Sequence, residues 1–297
     1  MKQKQFFSTL AISAAAIVTI GAMTSMATTA AQAQSGVAFI TDIKGEAALD
    51  AGKVALMAEI KKGARINCAR ECAVGVMYLL SGKEYVLKGP GDFVVGDAEV
   101  TAKIGPPPTL RETKWKVSSQ VVAQAASQTS SASIRMRSLG GTAAKAEVPL
   151  PAERLIYPRD TRVATLQPAF RWASANPKGP FEFELKANGS AKPVYKAKSA
   201  TMHINLPGNV KLLPDVEYSW GVKAGVNDVG MTSFKTLPTH AIDLTQQRKP
   251  DDKAGFSDWL LYALTLKEVG ADQDASEVWA KLAKDRPDLP ELTALTK

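Results

Sequence analysis

The residues with the most reactive side chains are few in this sequence. Among 297 residues there are only two cysteines, Cys68 and Cys72, and two histidines, His203 and His240. A close pair of thiols can form a disulfide, act as a redox centre or supply half of a zinc site. No G-x-S-x-G, no H-E-x-x-H and no phosphate-binding glycine loop accompanies them. We therefore predict a protein that is not an enzyme, with no catalytic residue, no metal ligand and no cofactor.

The first 33 residues have the features of a secretory signal peptide. Lys2 and Lys4 give a basic start, residues 6–20 are mostly apolar, and Ala31-Gln32-Ala33 has small residues where a signal peptidase cuts. We predict a signal peptide over residues 1–33, with cleavage between Ala33 and Gln34. The apolar stretch is short for a membrane span of about 20 residues, and no later stretch is long enough. The mature chain is therefore predicted to be periplasmic or secreted and to lack a transmembrane segment.

The predicted export affects which chemistry is expected of the cysteine pair. An oxidising compartment favours a disulfide, and residues that flank a three-residue hairpin loop can approach to the Cα separation of about 5.5 Å that a disulfide needs. A redox pair would normally be C-x-x-C at a helix start, and zinc would need two more ligands, whereas both histidines are distant in sequence. We favour a structural Cys68–Cys72 disulfide over these two alternatives.

Short apolar runs separated by turn signals fill residues 35–104, the pattern of an all-β module. Predicted strands include 37–41, 54–57 and 73–80. The stretches 37–45, 56–66, 74–82 and 87–95 resemble the strands and glycine turns of FecR-like domains. Ser81-Gly82 replaces the usual Asp-Gly, and the cysteine pair replaces a threonine-containing turn. The resemblance implies a small β module of the bacterial envelope and no catalysis.

Residues 105–150 are predicted to be a flexible, Ser/Ala/Gln-rich linker, with one short helix near residues 117–126. The chain carries a net charge of +8, and this segment contributes six basic and two acidic residues. Its basic side chains are our candidate contacts for an anionic partner: Arg111, Lys114, Lys116, Arg135 and Arg137. The alternation around Arg135 and Arg137 could instead form an edge strand, and a solvated basic surface is the competing interpretation. Trp115 is expected to pack back on the first module.

Residues 152–238 again alternate in short strands, seven in all, which suits a Greek-key β-sandwich. Gln167-Pro168-x-Phe170-Arg171-Trp172 resembles the second strand of a fibronectin type III or immunoglobulin-like domain. Leu212-x-Pro214-x-x-x-Tyr218 resembles its tyrosine corner, in which the hydroxyl bonds back to upstream backbone. His203 and His240 are given no catalytic role.

Residues 250–297 change to a helical period. The spacing resembles that of one tetratricopeptide repeat and is carried by Trp259, Tyr262, Ala263, Leu266, Gly270, Ala275, Trp279, Leu282 and Pro287. Because a single repeat cannot bury both helix faces, we expect this hairpin to pack on the second module or on a partner, with its own chain favoured.

These features predict a mainly β fold: a FecR-like module, a β-sandwich of the fibronectin type III or immunoglobulin-like kind, and a C-terminal α-hairpin. We expect an exported binding or scaffold protein that engages cell-envelope glycan or another envelope protein through its β modules. The alternative is a periplasmic sensor or regulatory component that relays binding to a partner protein through the helices. Nucleic acid is an improbable partner for an exported protein.

The disulfide can be tested by intact-mass spectrometry of the mature protein after alkylation. Without reductant we expect no added alkyl group, and after reduction we expect both cysteines to be alkylated. Alkylation of both thiols in the unreduced, periplasmically expressed protein would contradict the disulfide.

Overall fold

The computed structural model describes residues 36–50, 52–113, 115–138, 154–175, 179–225 and 227–296, with the backbone alone for 132–138 and 227–228. The described chain is mixed and mostly β, with several antiparallel sheets followed by C-terminal helices. The strands are β1 (Ala38–Lys44), β2 (Ala47–Leu49), β3 (Gly52–Lys53), β4 (Glu59–Ile60), β5 (Arg65–Cys68), β6 (Ala73–Tyr78), β7 (Glu84–Lys88), β8 (Gly91–Val95), β9 (Val100–Ile104), β10 (Thr109–Arg111), β11 (Arg154–Tyr157), β12 (Thr161–Val163), β13 (Ala169–Ala173), β14 (Phe181–Ala187), β15 (Pro193–Ser199), β16 (His203–Asn205), β17 (Glu217–Ala224) and β18 (Asn227–Thr236). The helices are α1 (Ser119–Ser138), α2 (Thr239–Arg248), α3 (Phe256–Glu268), α4 (Asp272–Asp285) and a 3-10 helix (Pro290–Thr296).

The first module consists of two five-stranded sheets. Their strand orders are β10-β7-β6-β1-β4 and β3-β2-β5-β8-β9. Alternating apolar residues face a shared core, with Phe39 and Val76 from the first sheet and Ile66 and Phe93 from the second, all of them fully buried. The pairing of β1 with β6 shifts register between Ile40 and Asp42.

One strand predicted in this module is a turn. Residues 54–57 alternate in hydrophobicity, yet they form no strand, and Met57 has a φ of 60°. Leu56 and Met57 are nevertheless almost completely buried. The turn is closed by a hydrogen bond from the Ala58 N–H to the Ala55 carbonyl at 3.1 Å. Because both side chains are buried, the sequence has the apolar pattern of a strand here, although the backbone forms a turn.

The segment predicted as a linker is ordered in its described part. β10 pairs with β7, and α1 runs through residue 138, well beyond the short helix expected. Val122, Ala125 and Thr129 lie on one helical face of α1 and are buried. Arg135 and Arg137 therefore lie in a helix, and the alternative of an edge strand at these residues is wrong. Trp115 is buried, with 7% of its surface exposed.

The described residues of the second module form eight strands, one more than predicted, in two sheets, β11-β13-β16 and β12-β18-β17-β14-β15. All pairings are antiparallel except that of β12 with β18. Aromatic rings fill the space between the sheets, with the ring centroid of Phe170 4.9 Å from that of Phe183 and 5.2 Å from that of Trp220. The Tyr218 hydroxyl accepts a hydrogen bond from the Leu213 N–H at 2.8 Å.

The C-terminal helices α3 and α4 form a hairpin. Gly270, at a φ of 79°, ends α3, and the Ala271 N–H donates back to the Leu266 carbonyl at 2.9 Å. The buried side chains of this hairpin belong to the same apolar core as those of the first module. The hairpin also contacts the second module through α4 and β12. The expectation that it packs on its own chain agrees with this arrangement, but the larger apolar contact is with the first module and not with the second.

Trp279 of α4 tests this shared core, because only 1% of its surface is exposed. We expect Trp279→Ala to lower the free energy of unfolding by about 3–5 kcal/mol, since it removes a large buried side chain and leaves a cavity. Urea denaturation of the protein expressed without residues 1–33 measures the loss. Leu213→Ala is the control, because Leu213 is 65% exposed and its loss should change stability by no more than about 0.5 kcal/mol. Equal effects of the two substitutions would contradict a hairpin built into the core.

Candidate functional site

The two cysteines are joined as a disulfide, with Cα atoms 5.5 Å apart. Their setting differs from the predicted hairpin, because β5 and β6 belong to different sheets. The bridge therefore spans a corner where the chain passes from one sheet to the other. Both cysteines are at most 3% exposed, so their sulfur atoms form part of the core.

A neighbouring turn packs tightly on this corner. The Gly89 N–H donates to the Cys72 carbonyl at 2.8 Å, and a β-carbon at Gly89 would lie 1.8 Å from the Ala69 carbonyl oxygen. Only glycine fits so close a backbone approach. A disulfide enclosed in this way fixes the corner and presents no accessible sulfur for chemistry.

Arg111, the first candidate for anion contact, is already occupied by carboxylates of its own chain. Its guanidinium hydrogen-bonds both carboxylate oxygens of Asp258 at 2.8 Å and one oxygen of Glu84 at 2.5 Å. Glu84 is only 1% exposed. Burial alone would lower the pKa of Arg111, but the hydrogen bonds and charges of Asp258 and Glu84 raise it above its ordinary value. Arg111 therefore connects β10 to α3 and is not available to an external anion.

The other basic candidates are not gathered into a site in the described part of the chain. Lys116 is exposed, and its carbonyl accepts a hydrogen bond from Arg248 at 3.0 Å. Lys114 lies outside the described residues, as do the side chains of Arg135 and Arg137.

A groove of about 630 Å³ crosses the outer face of the second module's larger sheet. Lysines line it, but carboxylates of the same sheet already pair with three of them. Glu184 contacts Lys186 and lies 2.6 Å from Lys196, and Glu182 lies 3.4 Å from Lys198. These hydrogen bonds, that from Lys186 first, lower the pKa of Glu184. The groove is therefore a ladder of surface charges in which two carboxylates pair with three lysines, and Lys223 alone among its lysines has no carboxylate within 4.0 Å in the described residues.

A second concavity, of about 440 Å³, lies between the helices and the second module. Its polar lining comes from α2, α3 and α4 and from the residues next to them: Gln246, Lys249, Tyr262, Asp274, Glu277 and Lys281. Ala164, Leu266 and Val278 give it an apolar part. Clefts between domains are preferred locations for ligands. We call this concavity the junction cleft and regard it as the candidate functional site.

Asp274 forms one wall of the junction cleft and holds the second module against α4. One carboxylate oxygen accepts a hydrogen bond from the Tyr157 hydroxyl at 2.5 Å, and the other accepts one from the Ala164 N–H at 2.9 Å. Its place in the first turn of α4 suits a negative charge. Burial raises the pKa of the Asp274 carboxyl against these hydrogen bonds, and burial together with the charge of Asp274 raises the pKa of Tyr262 to about 12. Both carboxylate oxygens of Asp274 thus accept hydrogen bonds from donors of the same chain.

The charged groups of the cleft differ in whether they have a partner. Glu277 pairs with Arg171 of β13. The Lys281 ammonium lies 3.9 Å from the centre of the Trp259 ring, which fixes its position. Among the described residues no carboxylate lies within 4.0 Å of the Lys249 or the Lys281 ammonium. The junction cleft therefore keeps two cations that have no anionic partner.

Sequence reasoning missed this cleft because its walls are more than 100 residues apart in the chain. The helical spacing identified Tyr262 and Leu266, but only as members of a hairpin core. No local pattern links Asp274 to the N–H of Ala164, so no signal short of the tertiary structure could have found the site.

Comparisons with known proteins add no assignment, since no protein-family model and no curated protein matches the chain. Within the described residues, no group of three or more His, Cys, Asp or Glu side chains could hold a metal ion. None of the helices in that same part of the chain combines the length and apolarity needed to cross a bilayer.

Arg111 and Lys116 were predicted to share one role, and the structure gives them different ones. We expect Arg111→Ala to lower the free energy of unfolding by about 2–3 kcal/mol, somewhat less than for a fully buried pair, because it leaves the buried Glu84 without its cation. Lys116→Ala is the matched control and should change stability by about 0.5 kcal/mol or less. Chemical denaturation of both variants measures the difference, and a similar small effect for each would show that Arg111 is not a structural connector.

Proposed function

We propose that this protein is an exported, non-enzymatic scaffold or binding protein of the bacterial cell envelope. The observation that carries the proposal is the position of the α3–α4 hairpin, which is attached to both β modules by hydrogen bonds and ion pairs. A protein held in this way offers fixed surfaces to a partner, which is what a scaffold requires.

The attachment to the first module uses both ends of the hairpin. At the start of α3, Asp258 receives two hydrogen bonds from Arg111. Just after α4, the Arg286 guanidinium donates to the Asp42 carboxylate at 2.6 Å and to the Ile43 carbonyl. Arg286 also lies 4.9 Å from the centre of the Phe256 ring. Its side chain is 13% exposed, and charged hydrogen bonds at this degree of burial stabilise more than a typical surface pair.

The attachment to the second module uses the first turn of α4. Besides Asp274, the Gln273 side chain accepts a hydrogen bond from the Arg159 N–H at 2.8 Å and donates to the Ile156 carbonyl at 3.2 Å. Backbone groups of the second module are thus recognised directly by the hairpin. This pattern favours a defined orientation between the hairpin and the second module.

We also propose a fold family for each of the three parts of the chain. The strand orders of the second module, with β13 between β11 and β16 and β14 between β15 and β17, support a fibronectin type III or immunoglobulin-like sandwich. The hydrogen bond to the Tyr218 hydroxyl supports the same assignment. The first module is proposed to be FecR-like and the helical hairpin to be tetratricopeptide-like, on the sequence patterns that suggested them.

The alternative function is a periplasmic sensor or regulatory component that relays binding to a partner protein through the C-terminal helices. Contact of one hairpin with both β modules supports such a relay. Residues 260–266 of α3 are all buried within the chain, which leaves little apolar helix surface for a partner. We therefore favour the scaffold.

Co-sedimentation of the mature protein with purified peptidoglycan sacculi, and affinity capture from envelope extract, test the proposed function. We expect recovery with sacculi, or capture of one discrete envelope protein, at low ionic strength. Recovery that falls at high salt would identify contacts made by exposed charges, because salt screens them. If the correctly exported protein is recovered neither with sacculi nor with an envelope protein at low salt, the proposed function is wrong.

A further inference from the structure

The junction cleft has a charge that can be compared with possible ligands. Its lysines, Lys249 and Lys281, have no carboxylate partner among the described residues. The other charged groups at the cleft are Asp274 and the Arg171–Glu277 ion pair. Arg171 does not line the cleft, but its pair with Glu277 leaves Asp274 as the one carboxylate against two lysines, a net charge of +1. One singly charged anion would neutralise it, whereas a doubly charged phosphate would leave an excess of negative charge beside Asp274 and Glu277.

The uncharged residues that line the cleft indicate which chemical groups of the ligand should lie next to its anionic group. The Gln246 amide can both donate and accept a hydrogen bond, and the Thr165 hydroxyl can do the same. Val278 and Ala164, which are half-buried, offer aliphatic surface in the same cleft. An N-acyl group presents an amide to the first set and a small apolar part to the second.

We propose that the junction cleft binds a small ligand that carries one carboxylate next to an N-acyl group. Lys249 and Lys281 bind the carboxylate, Gln246 and Thr165 bind the amide, and the aliphatic wall contacts the acyl carbon atoms. The cleft volume of about 440 Å³ lies within the range of small-molecule sites. The expectation that the ligand comes from the cell envelope rests on the proposed function. The carboxylate and the N-acyl group are inferred from the lining of the cleft alone.

The larger groove on the sheet face is the competing location for an anion. There Glu182 and Glu184 pair with Lys186, Lys196 and Lys198, and of the groove's lysines only Lys223 has no carboxylate within 4.0 Å among the described residues. A ligand would have to displace one of these pairs before it could contact a second lysine, whereas Lys249 and Lys281 both have no described carboxylate to exchange. The difference in pairing favours the junction cleft over the larger groove.

Isothermal titration calorimetry of the mature protein tests the proposal with three defined compounds. N-Acetylmuramic acid and N-acetylalanine both carry a carboxylate and an N-acetyl group, one on a sugar and one on an amino acid. N-Acetylglucosamine has the same sugar amide without the carboxylate. We expect at least one acid to bind, with N-acetylglucosamine at least tenfold weaker, and the preferred acid then distinguishes a glycan source from a peptide source. If neither acid binds at millimolar concentration, or if N-acetylglucosamine binds as tightly as the acids, the proposal is wrong.

Substitutions locate the binding. Lys249→Gln and Lys281→Gln should each weaken binding of the preferred acid about tenfold, because each removes one charge-assisted hydrogen bond. Lys196→Gln, in the sheet groove, is the matched control and should leave affinity unchanged. Lys281→Arg keeps the charge and the contact with Trp259, so it should restore most of the affinity. Unchanged affinity in both glutamine variants would overturn the assignment to this cleft, and sacculus binding that persists without acid binding would overturn the cleft proposal while leaving the proposed function intact.

Discussion

A single helical hairpin cannot bury all of its apolar surface between two helices, and this constraint organises the protein. α3 is buried around its whole circumference over residues 260–266. A helix of this kind is stable only inside a larger assembly of elements. The first module, α1 and α2 supply most of the cover, and the second module closes the side next to α4. The modules are therefore held by a shared need for burial as much as by their own cores.

Polar contacts then determine the orientation that burial leaves free. Apolar packing is non-directional, whereas the bonds of Asp258 with Arg111, Arg286 with Asp42 and Asp274 with Ala164 each require one geometry. These residues are half-buried or more deeply placed, so their hydrogen bonds contribute more than those of exposed pairs. The lysine–glutamate ladder on the outer sheet face lies at the other extreme and contributes mainly to solvation.

Local patterns in the sequence were sufficient for much of the fold. Alternation over 73–78 and 181–187 corresponds to β6 and β14, and the helical spacing through Trp259 and Trp279 corresponds to α3 and α4. Local patterns failed at residues 54–57, where buried apolar side chains suggested a strand but the backbone forms a turn. They also underestimated the length of α1, because the composition of this segment resembles that of a linker and its buried face consists of isolated residues such as Val122 and Ala125.

The basic segment shows why charge counts alone did not locate the site. Arg111 contributes to the positive sum of residues 105–150, yet two carboxylates from β7 and α3 neutralise it in the folded chain. The two cations that remain without a described partner in the junction cleft come from the C-terminal segment, where acidic residues outnumber basic ones. Binding capacity depends on which charges remain unpaired after folding. Lys249 directly follows α2 and Lys281 lies on α4, while Thr165 belongs to the second module. A ligand that contacts all three would bind only the docked arrangement and would stabilise it by mass action. Ligand binding at the proposed site and the relative position of the hairpin and second module are then thermodynamically linked, so that a change in one changes the other.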